Sequence, residues 1–258
     1  MNIVYTVVLG GWDYLRPPEM IDPDARYLAF VDQPMPPCPP WECVPAYTPF
    51  AKHSRNSRLP KILPHLHFEA EYSIYHDANF CLKRSPEYLI DRYLRPKERE
   101  IAMFRHPCRT NIEQEAGEIL KHPEWFPNVN PEDIHRQIAR WKQMGSPDGL
   151  WAGGLIIRKH TEDLAAFNTR WWREFTLGCS RDQFSLPLAR HAAGAKIEDI
   201  QGDIFQNDLL AFHWHSAWKD KADNPKMAMR YAQWQSENHS ATLAPARPCQ
   251  QLEDLCRG

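Results

Sequence analysis

The sequence lacks an apolar run that approaches the roughly 20 residues needed to span a bilayer. Its first apolar stretch, residues 3–9, has neither a basic leader nor a small-residue cleavage site. We therefore interpret this stretch as a buried strand rather than as a signal peptide. The mean hydropathy of -0.61 is ordinary for a soluble globular protein.

Paired cysteines and an excess of positive charge are also missing. The seven cysteines include no CxxC pair, which favours reduced thiols in the cytoplasm over a disulfide framework or a zinc site. The formal net charge of -2 argues against non-specific binding of nucleic acid through bulk charge, although it leaves room for a local basic groove. The sequence thus favours a cytoplasmic globular protein.

Proline and tryptophan are abundant, with 23 and 10 residues in a chain of 258. The densest proline cluster, residues 34–40, predicts a stiff surface loop, with docking to an aromatic groove as the alternative.

The length suits one large α/β domain, which we place at residues 1–220. The polar tail, residues 221–258, is expected to wrap this domain or to be partly disordered.

Short apolar runs alternate with amphipathic segments, which predicts an α/β fold with a mostly parallel sheet and helices on both faces. Helices are predicted to begin after the capping residues Ser85, Asn130, Thr161 and Ser180, and Pro187 is expected to end or bend the last one. The predicted strands cover residues 2–9, 26–31, 72–76, 150–158 with an interruption at Gly153-Gly154, and 209–215.

Acidic and glycine residues follow the predicted strands, where open α/β sheets bind their ligands. The segments are Gly10-Gly11, Asp32 and Asp77-Ala78-Asn79. In extended backbone Asp77 and Asn79 point the same way, so they could offer two oxygen ligands to one hard cation. The alternative is an ordinary strand end followed by a turn.

Two histidines near the other end have the same spacing. His213 and His215 would project from one face of a strand and could share a metal ion. Buried histidines hydrogen-bonded among the neighbouring tryptophans are the alternative.

Basic residues recur at near-helical spacing between residues 52 and 61. This run could clamp a diphosphate or a sugar hydroxyl, or it could be solvated surface charge. A second basic patch, residues 104–109, could instead pair with Glu113 and Glu115.

Asp182 occupies the first turn of a predicted helix, where the macrodipole keeps a carboxylate ionised. It could serve as a base, as an electrostatic partner or as an ordinary first-turn acid.

The order of these motifs resembles that of one family. Along the chain they read FVDQ, RNSRLPKILPH, YSIYHDANF, FRHPCR, GLWAGGLIIRKHT and SRDQFSL. The series is similar to the glycosyltransferase-like family long described as a domain of unknown function, found in plant proteins and in bacterial polysaccharide-related proteins. The resemblance covers roughly residues 3–190. More distantly, the motifs DAN, RDQ and HWHSAWK resemble those of the glycogenin-like retaining transferases, which share the GT-A fold.

The resemblance implies a role for each matching position. A nucleoside pocket would be lined by Thr6, Val8, Gly10, Gly11 and Asp32, and the donor diphosphate and sugar would be faced by Arg55, Arg58, Lys61 and Lys219, with Gly153 and Gly154 beneath the sugar. Mn²⁺ or Mg²⁺ would be bound by Asp77, Asn79 and His213 or His215. The reacting carbon would lie above Asp182, with Gln183, and the acceptor side would include His106 and Arg109.

The implied function is transfer of a sugar from a nucleotide-diphosphate donor to a hydroxyl acceptor, assisted by a divalent metal, with retention of configuration favoured. The motif Asp-Ala-Asn replaces a pair of carboxylates, so the ion could be held loosely or dispensed with. Three alternatives stay open: a metal-dependent phosphoester hydrolase built on Asp77, His213 and His215, a catalytically silent nucleotide-sugar binding module, and a transferase whose acceptor is modified nucleic acid.

Overall fold

A seven-stranded sheet organises the computed structural model of the chain, which describes residues 1–123, 126, 129–213 and 250–257. The strand order is β3-β2-β1-β4-β7-β6-β8, and β5 pairs with β9 in a separate two-stranded sheet. The strands are β1 (Asn2–Val8), β2 (Ala25–Val31), β3 (Glu42–Pro45), β4 (Tyr72–His76), β5 (Phe80–Leu82), β6 (Ile101–Arg105), β7 (Trp151–Lys159), β8 (Ile197–Ile200) and β9 (Leu210–Phe212).

The large sheet is mostly parallel, as predicted. Only β7 runs against its neighbours β4 and β6, whereas every other pair in the large sheet is parallel. Strand β1 is almost continuously buried, which is typical of a parallel strand covered on both faces. Its residues alternate between two apolar clusters: Val4 and Val8 belong to one, and Ile3 and Tyr5 to the other.

Helices cover both faces of the sheet, which confirms the predicted α/β class and is consistent with a single GT-A-like domain. Leu59, Trp171 and Leu186 pack in the cluster on one face, and Leu89 packs in the cluster on the opposite face. The helices are α1 (His53–Asn56), α2 (Arg58–Ile62), α3 (Pro86–Tyr93), α4 (Ile112–Lys121), α5 (Pro131–Gln143), α6 (Glu162–Leu177), α7 (Asp182–Ala193) and α8 (Gln250–Arg257).

Three of the predicted helix starts are confirmed. The side chains of Ser85, Asn130 and Thr161 each accept a hydrogen bond from a backbone N–H in the first turn of α3, α5 and α6. The fourth start was predicted wrongly, because the N-cap position of α7 is Arg181 and not Ser180. Pro187 does not end α7 either, since the helix continues to Ala193.

Packing explains why α7 continues past its proline. Pro187 removes one backbone hydrogen bond, but Leu186 and Leu188 on either side of it are fully buried. Burial of these side chains stabilises the turn that the proline weakens. The helix ends instead at Gly194, whose φ of 64° is the left-handed conformation usual after a helix C-terminus.

Strand β7 differs from its prediction in one respect. It runs from Trp151 to Lys159 without a break, although Gly153-Gly154 was expected to interrupt it. The irregularity appears in its pairing with β6, where Met103 faces Ile156 but the next residue, Phe104, faces Ala152. The two glycines therefore lie in a bulge of the ladder, at the edge of the sheet where β1, β2 and β4 end.

The chain after β9 is described only in part. Residues 214–249, with His215 and Lys219, lie outside the described residues, as does most of the predicted tail. Helix α8 packs against the domain through Leu252, which is fully buried. Among the described helices, none combines the length and the apolar character needed to cross a bilayer.

Candidate active site

Four charged residues from distant parts of the sequence meet at the edge of the sheet. We call Arg58, Lys61, Asp77 and Asp182 the Asp182 cluster. Lys61 Nζ lies 2.7 Å from Asp182 Oδ2 and 3.5 Å from Asp77 Oδ1, and Arg58 Nη2 lies 3.5 Å from Asp182 Oδ1. The side chains of Lys61 and Asp182 are only 4% and 5% exposed, so two opposite charges are buried in contact.

Short helix α2 places the two basic side chains of this cluster. Arg58 and Lys61 are three residues apart, so they lie on the same side of the helix. The backbone carbonyl of Lys61 accepts a hydrogen bond of 2.9 Å from Arg158 Nη2. Arg158, a residue of β7, is itself fully buried and also donates to the Tyr5 hydroxyl of β1. It therefore fixes the end of α2 against the sheet.

The carboxylate of Asp182 stays ionised. Burial alone would raise its pKa, but the charges of Lys61 and Arg58 outweigh burial and hold the pKa well below the ordinary value. Its position in the first turn of α7 favours the negative charge as well. Such a carboxylate is a weak proton acceptor, so the arrangement suits an electrostatic partner better than a general base.

Asp77 receives a hydrogen bond that the sequence analysis did not anticipate. The Tyr75 hydroxyl donates to Asp77 Oδ1 over 2.5 Å. Burial and the neighbouring Asp77 carboxylate raise the pKa of Tyr75 well above its usual value, so this hydroxyl keeps its proton. The available signal was the spacing of Tyr75, in β4, and Asp77, directly after it, because residues two apart in extended backbone direct their side chains to one face.

The glycines of β7 let neighbouring side chains come closer to the strand than a Cβ atom would allow. A Cβ atom on Gly153 would lie 2.9 Å from Lys61 Nζ and 3.2 Å from Asp182 Oδ2. A Cβ atom on Gly154 would meet Phe80 and Ile204, both at 2.8 Å, with Asp77 Oδ2 at 3.5 Å. Gly153 therefore borders the Asp182 cluster directly, whereas Gly154 mainly permits close packing of the neighbouring side chains.

Two of the predicted metal ligands, Asn79 and His213, are joined by a backbone hydrogen bond. The N–H of His213 donates to the Asn79 carbonyl over 2.8 Å, next to the pairing of Phe80 with Phe212. Asp77 Oδ1 faces Tyr75 and Lys61, and Oδ2 lies on the side of Gly154. No group of three or more His, Cys, Asp or Glu side chains suited to a metal occurs in the described ranges.

This set of ligands fits only a particular kind of metal site. It offers one carboxylate, one amide and one imidazole, which is fewer than a dedicated protein cage for a divalent ion supplies. Magnesium sites commonly combine one or two carboxylates with phosphate oxygens of the substrate and with water. These residue types would therefore suit an ion only if a bound phosphate completed its coordination.

The turn after β1 and the end of β2 form a second polar region. The N–H of Gly10 donates to Asp32 Oδ2 over 2.9 Å, and His53 Nδ1 lies 3.1 Å from the same oxygen. The other carboxylate oxygen, Asp32 Oδ1, is buried and has no hydrogen-bond partner in the described chain. Gly10 and Gly11 both have positive φ, and the indole of Trp12, next in sequence, is 65% exposed.

The remaining residues predicted for the nucleoside pocket lie within β1. Thr6 is 1% exposed, and within the described chain its buried hydroxyl has no hydrogen-bond partner. Val8 packs in the apolar core. His53 lies in the basic run but was not predicted as a site residue, because only the fold brings this imidazole to Asp32.

Arg55 is separated from the other two basic residues of its run. Its guanidinium lies 4.6 Å from the centre of the Phe50 ring, and its charge acts on the Cys256 thiol of α8. Helix α1 ends at Asn56, before α2 begins at Arg58. The structure thus brings Arg58 and Lys61 to the Asp182 cluster and leaves Arg55 near α8.

The predicted acceptor-side residues belong to a second ionic group. We call His106, Arg109, Glu115 and Arg181 the Glu115 cluster. The Glu115 side chain is fully buried; Arg109 Nε donates to Oε2, and Arg181 Nη2 donates to Oε1 over 3.1 Å. Arg109 Nη2 also contacts His106 Nε2 at 3.0 Å. Burial lowers the pKa of His106, although the Glu115 charge opposes this effect.

These contacts confirm part of the alternative interpretation of the basic patch. Arg109 pairs with Glu115, but Glu113 pairs with Lys142 of α5 at 2.8 Å and not with an arginine. Gln183 accepts a hydrogen bond of 2.5 Å from Arg181, so it contacts the Glu115 cluster.

Comparison with known proteins supports a glycosyltransferase assignment. A family model described as the TOD1/MUCI70 glycosyltransferase-like domain matches residues 41–209, which include both clusters. A curated relative, "Probable hexosyltransferase MUCI70" from Arabidopsis thaliana, is 29% identical over 168 residues. The aligned part is 60% of this chain and 28% of the relative, so the chain spans little more than a quarter of that protein.

Proposed function

This chain belongs to the TOD1/MUCI70 glycosyltransferase-like family, and on that premise we propose that it transfers a glycosyl group from a nucleotide-diphosphate donor to a hydroxyl acceptor. The name of the plant relative, a probable hexosyltransferase, supports a hexose as the donor sugar. The observation that carries the proposal is the meeting of Arg58, Lys61 and Asp182 beside Gly153.

The nucleoside of the donor would bind at the ends of β1 and β2. Asp32 Oδ1 is a buried acceptor without a described partner, so it is suited to an N–H or O–H group of a nucleoside. Gly10 and His53 hold the other oxygen and thereby fix the carboxylate. The exposed indole of Trp12 offers a flat surface to a base at the same turn.

The diphosphate would lie between this turn and the Asp182 cluster. Arg58 and Lys61 carry the positive charge that the leaving diphosphate requires. A divalent ion, Mn²⁺ or Mg²⁺, would be held by Asp77, Asn79 and His213 together with phosphate oxygens. When bound, it would act as a Lewis acid toward the diphosphate.

The reaction breaks the bond between the anomeric carbon and the diphosphate oxygen and forms a bond from that carbon to the acceptor oxygen. The acceptor proton leaves with the diphosphate. Asp182, ionised and close to Gly153, would stabilise the positive charge that develops on the sugar. Because Lys61 and Arg58 make this carboxylate a weak base, we favour retention of configuration over inversion by an Asp182 base.

The alternatives receive less support from the described residues. Phosphoester hydrolases that use two metals need a denser set of carboxylates and histidines than the described part of the chain provides. A silent binding module would not need the buried Asp182, and substitution of this residue separates that case. The cytoplasmic location suggested by the cysteine pattern stays a prediction.

Thermal unfolding with a panel of nucleotide-diphosphate hexoses tests the donor class. Each donor is added with Mn²⁺ or with a chelator, and the matching nucleoside diphosphate serves as the control without sugar. A donor at about 100 times its dissociation constant stabilises the native state by about 2.7 kcal/mol. We expect one donor to raise Tm, more strongly with Mn²⁺. If no donor raises Tm under either condition, the proposed function is wrong.

A further inference from the structure

The loop between β8 and β9, residues 201–209, is held in one conformation by its own side chains. Asp203 Oδ1 accepts a hydrogen bond from the N–H of Phe205 over 2.9 Å. The amide of Asn207 donates to the carbonyls of Asp203 and Ile204, and its oxygen accepts from the N–H groups of Leu209 and Leu210. These bonds hold the backbone of the loop on both sides of Phe205.

The loop buries one apolar side chain and exposes the next. Ile204 is 2% exposed, but Phe205 is 48% exposed. The Phe205 ring still has a firm backing, because its centre lies 4.9 Å from that of Phe212 and 6.1 Å from that of Phe80. The fold therefore presents one face of an aromatic ring on a rigid support.

This ring lies beside the proposed reaction centre. Gly154 is bordered by Ile204, which precedes Phe205 in the sequence, and by Phe80, whose ring packs against that of Phe205. Asp77 Oδ2 borders the same glycine. Burial lowers the pKa of His106 in the Glu115 cluster, and the Asp203 carboxylate at the start of the loop opposes this effect. The loop thus extends from the Asp77 side of the site to the residues predicted for the acceptor side.

We propose that Phe205 binds the acceptor and that the acceptor is a carbohydrate, with one pyranose ring stacked on the exposed face of the phenyl ring. This inference rests on the proposed function. The C–H groups on one face of a pyranose pack against an aromatic ring, while its hydroxyls stay available for polar neighbours such as Asp203.

Charge favours a carbohydrate over a nucleic acid on this surface. Single-stranded nucleic acids also stack their bases on aromatic rings, but they need a positively charged groove along the backbone. The loop contains Asp203 and Asp208 and no lysine or arginine, and two cations that contact it are bonded to it: Arg84 Nη2 to Asp208 Oδ2 at 3.1 Å and Lys83 Nζ to the Asn207 carbonyl at 3.2 Å. The carboxylates of the loop would repel a phosphate backbone, whereas they would not repel a neutral glycan.

Binding of defined probes to variants of the full chain, each loaded with its donor nucleotide, tests the proposal. The probes are xylo-, cello-, manno- and galacto-tetraose, with a single-stranded DNA oligonucleotide as the rival ligand. We expect at least one tetrasaccharide to bind, and Phe205→Ala to weaken its affinity about ten-fold. Phe205→Trp should retain the affinity because it keeps a stacking face. Leu177→Ala, which removes another exposed apolar side chain at the end of α6, is the matched control and should have no effect.

The outcomes separate this proposal from the proposed function. If the donor raises Tm equally in wild type and Phe205→Ala while only the tetrasaccharide affinity falls, Phe205 acts on the acceptor. The proposal is overturned if no tetrasaccharide binds, if binding survives in Phe205→Ala, or if the DNA binds through Phe205 instead. It is also overturned if Phe205→Ala lowers Tm by more than roughly 6 °C, as expected for a ring covered by the chain itself. Failure of the donor to bind wild type would contradict the proposed function.

Discussion

The Asp182 cluster and the Glu115 cluster lie on either side of the peptide bond between Arg181 and Asp182, and both hold a buried carboxylate between two cations. The Glu115 carboxylate has no exposed surface and is contacted by Arg109 and Arg181. The Asp182 carboxylate is nearly as buried, but it borders Gly153, where the backbone carries no side chain. Its cluster also includes Asp77, which is 38% exposed.

This difference separates a supporting role from a chemical one. In the Glu115 cluster side chains occupy the space around the carboxylate, so its charge serves mainly to fix α4 against the start of α7. In the Asp182 cluster the charges are already oriented, and the cluster reaches the surface through Asp77, whose side chain is 38% exposed. Fixed charge that borders an exposed carboxylate is suited to electrostatic catalysis, because a ligand at the surface can meet charges that are already oriented.

Removal of the Glu115 charge should have the largest effect on stability. Glu115→Gln leaves two arginines next to a buried neutral side chain, and breaking a buried ion pair in this way costs about 3–5 kcal/mol. Chemical denaturation measures the loss. Glu113→Gln on the same helix removes an exposed pair with Lys142 and should cost less than about 1 kcal/mol. Equal effects of the two variants would mean that the Glu115 cluster does not support the fold.

A side chain at Gly153 should damage the Asp182 cluster specifically. In Gly153→Ala the new Cβ would lie 2.9 Å from Lys61 Nζ, so the buried ammonium must move, at a cost of about 1–3 kcal/mol. We expect the donor-dependent rise in Tm to shrink as well. Gly117→Ala is the control: no atom lies within 4 Å of its Cβ position, and it should stabilise α4 by about 0.5–1 kcal/mol. An undiminished donor response in Gly153→Ala would show that this face is not used.

Mild acid should lower the stability by an amount similar to that of Gly153→Ala, through the residues around Arg158 that support α2. Burial lowers the pKa values of His65, His67 and His160 to about 4. In the unfolded chain they titrate near 6.5, so the unfolded state binds more protons as the pH falls from 6.5 toward 4, and stability decreases. After allowance for solvent screening, we expect about 1 kcal/mol per histidine, which is about 3 kcal/mol for the three together or roughly 6–12 °C in Tm. A Tm that stays constant between pH 6.5 and 5, above the range where carboxylates titrate, would contradict this.

Local signals in the sequence predicted the framework of the site. Capping side chains located the starts of α3, α5 and α6, and the residues after β1, β2 and β4 were placed at one edge of the sheet. These features depend on contacts between residues a few positions apart, or on the direction of a strand. The first-turn position of Asp182 was predicted for the same reason, although its cap was misplaced by one residue.

Features that depend on long-range packing were not predictable. The spacing of Arg55, Arg58 and Lys61 suits one continuous helix, but the break at Ser57 turns Arg55 toward α8. The pairs of His53 with Asp32 and Lys61 with Asp182 join residues far apart in sequence, and no local pattern identifies such partners.

Short strands were missed for a related reason. Strands β3, β5, β6 and β8 contain three to five residues each. Such runs are too short for a hydrophobic period to distinguish a strand from a turn, and they become strands only because a neighbour in the sheet supplies the hydrogen bonds.

The most direct test of the central claim, that Asp182 acts on the reacting sugar, is to measure donor binding and donor turnover together in Asp182→Asn. Turnover is followed as release of the donor sugar to water, which needs no known acceptor, below the Tm of the variant. Glu115→Gln serves as the control for loss of a buried carboxylate and should keep most of its turnover. We predict that Asp182→Asn still binds the donor while turnover falls by about 100- to 1000-fold. Full turnover in Asp182→Asn would contradict the catalytic role of the Asp182 cluster.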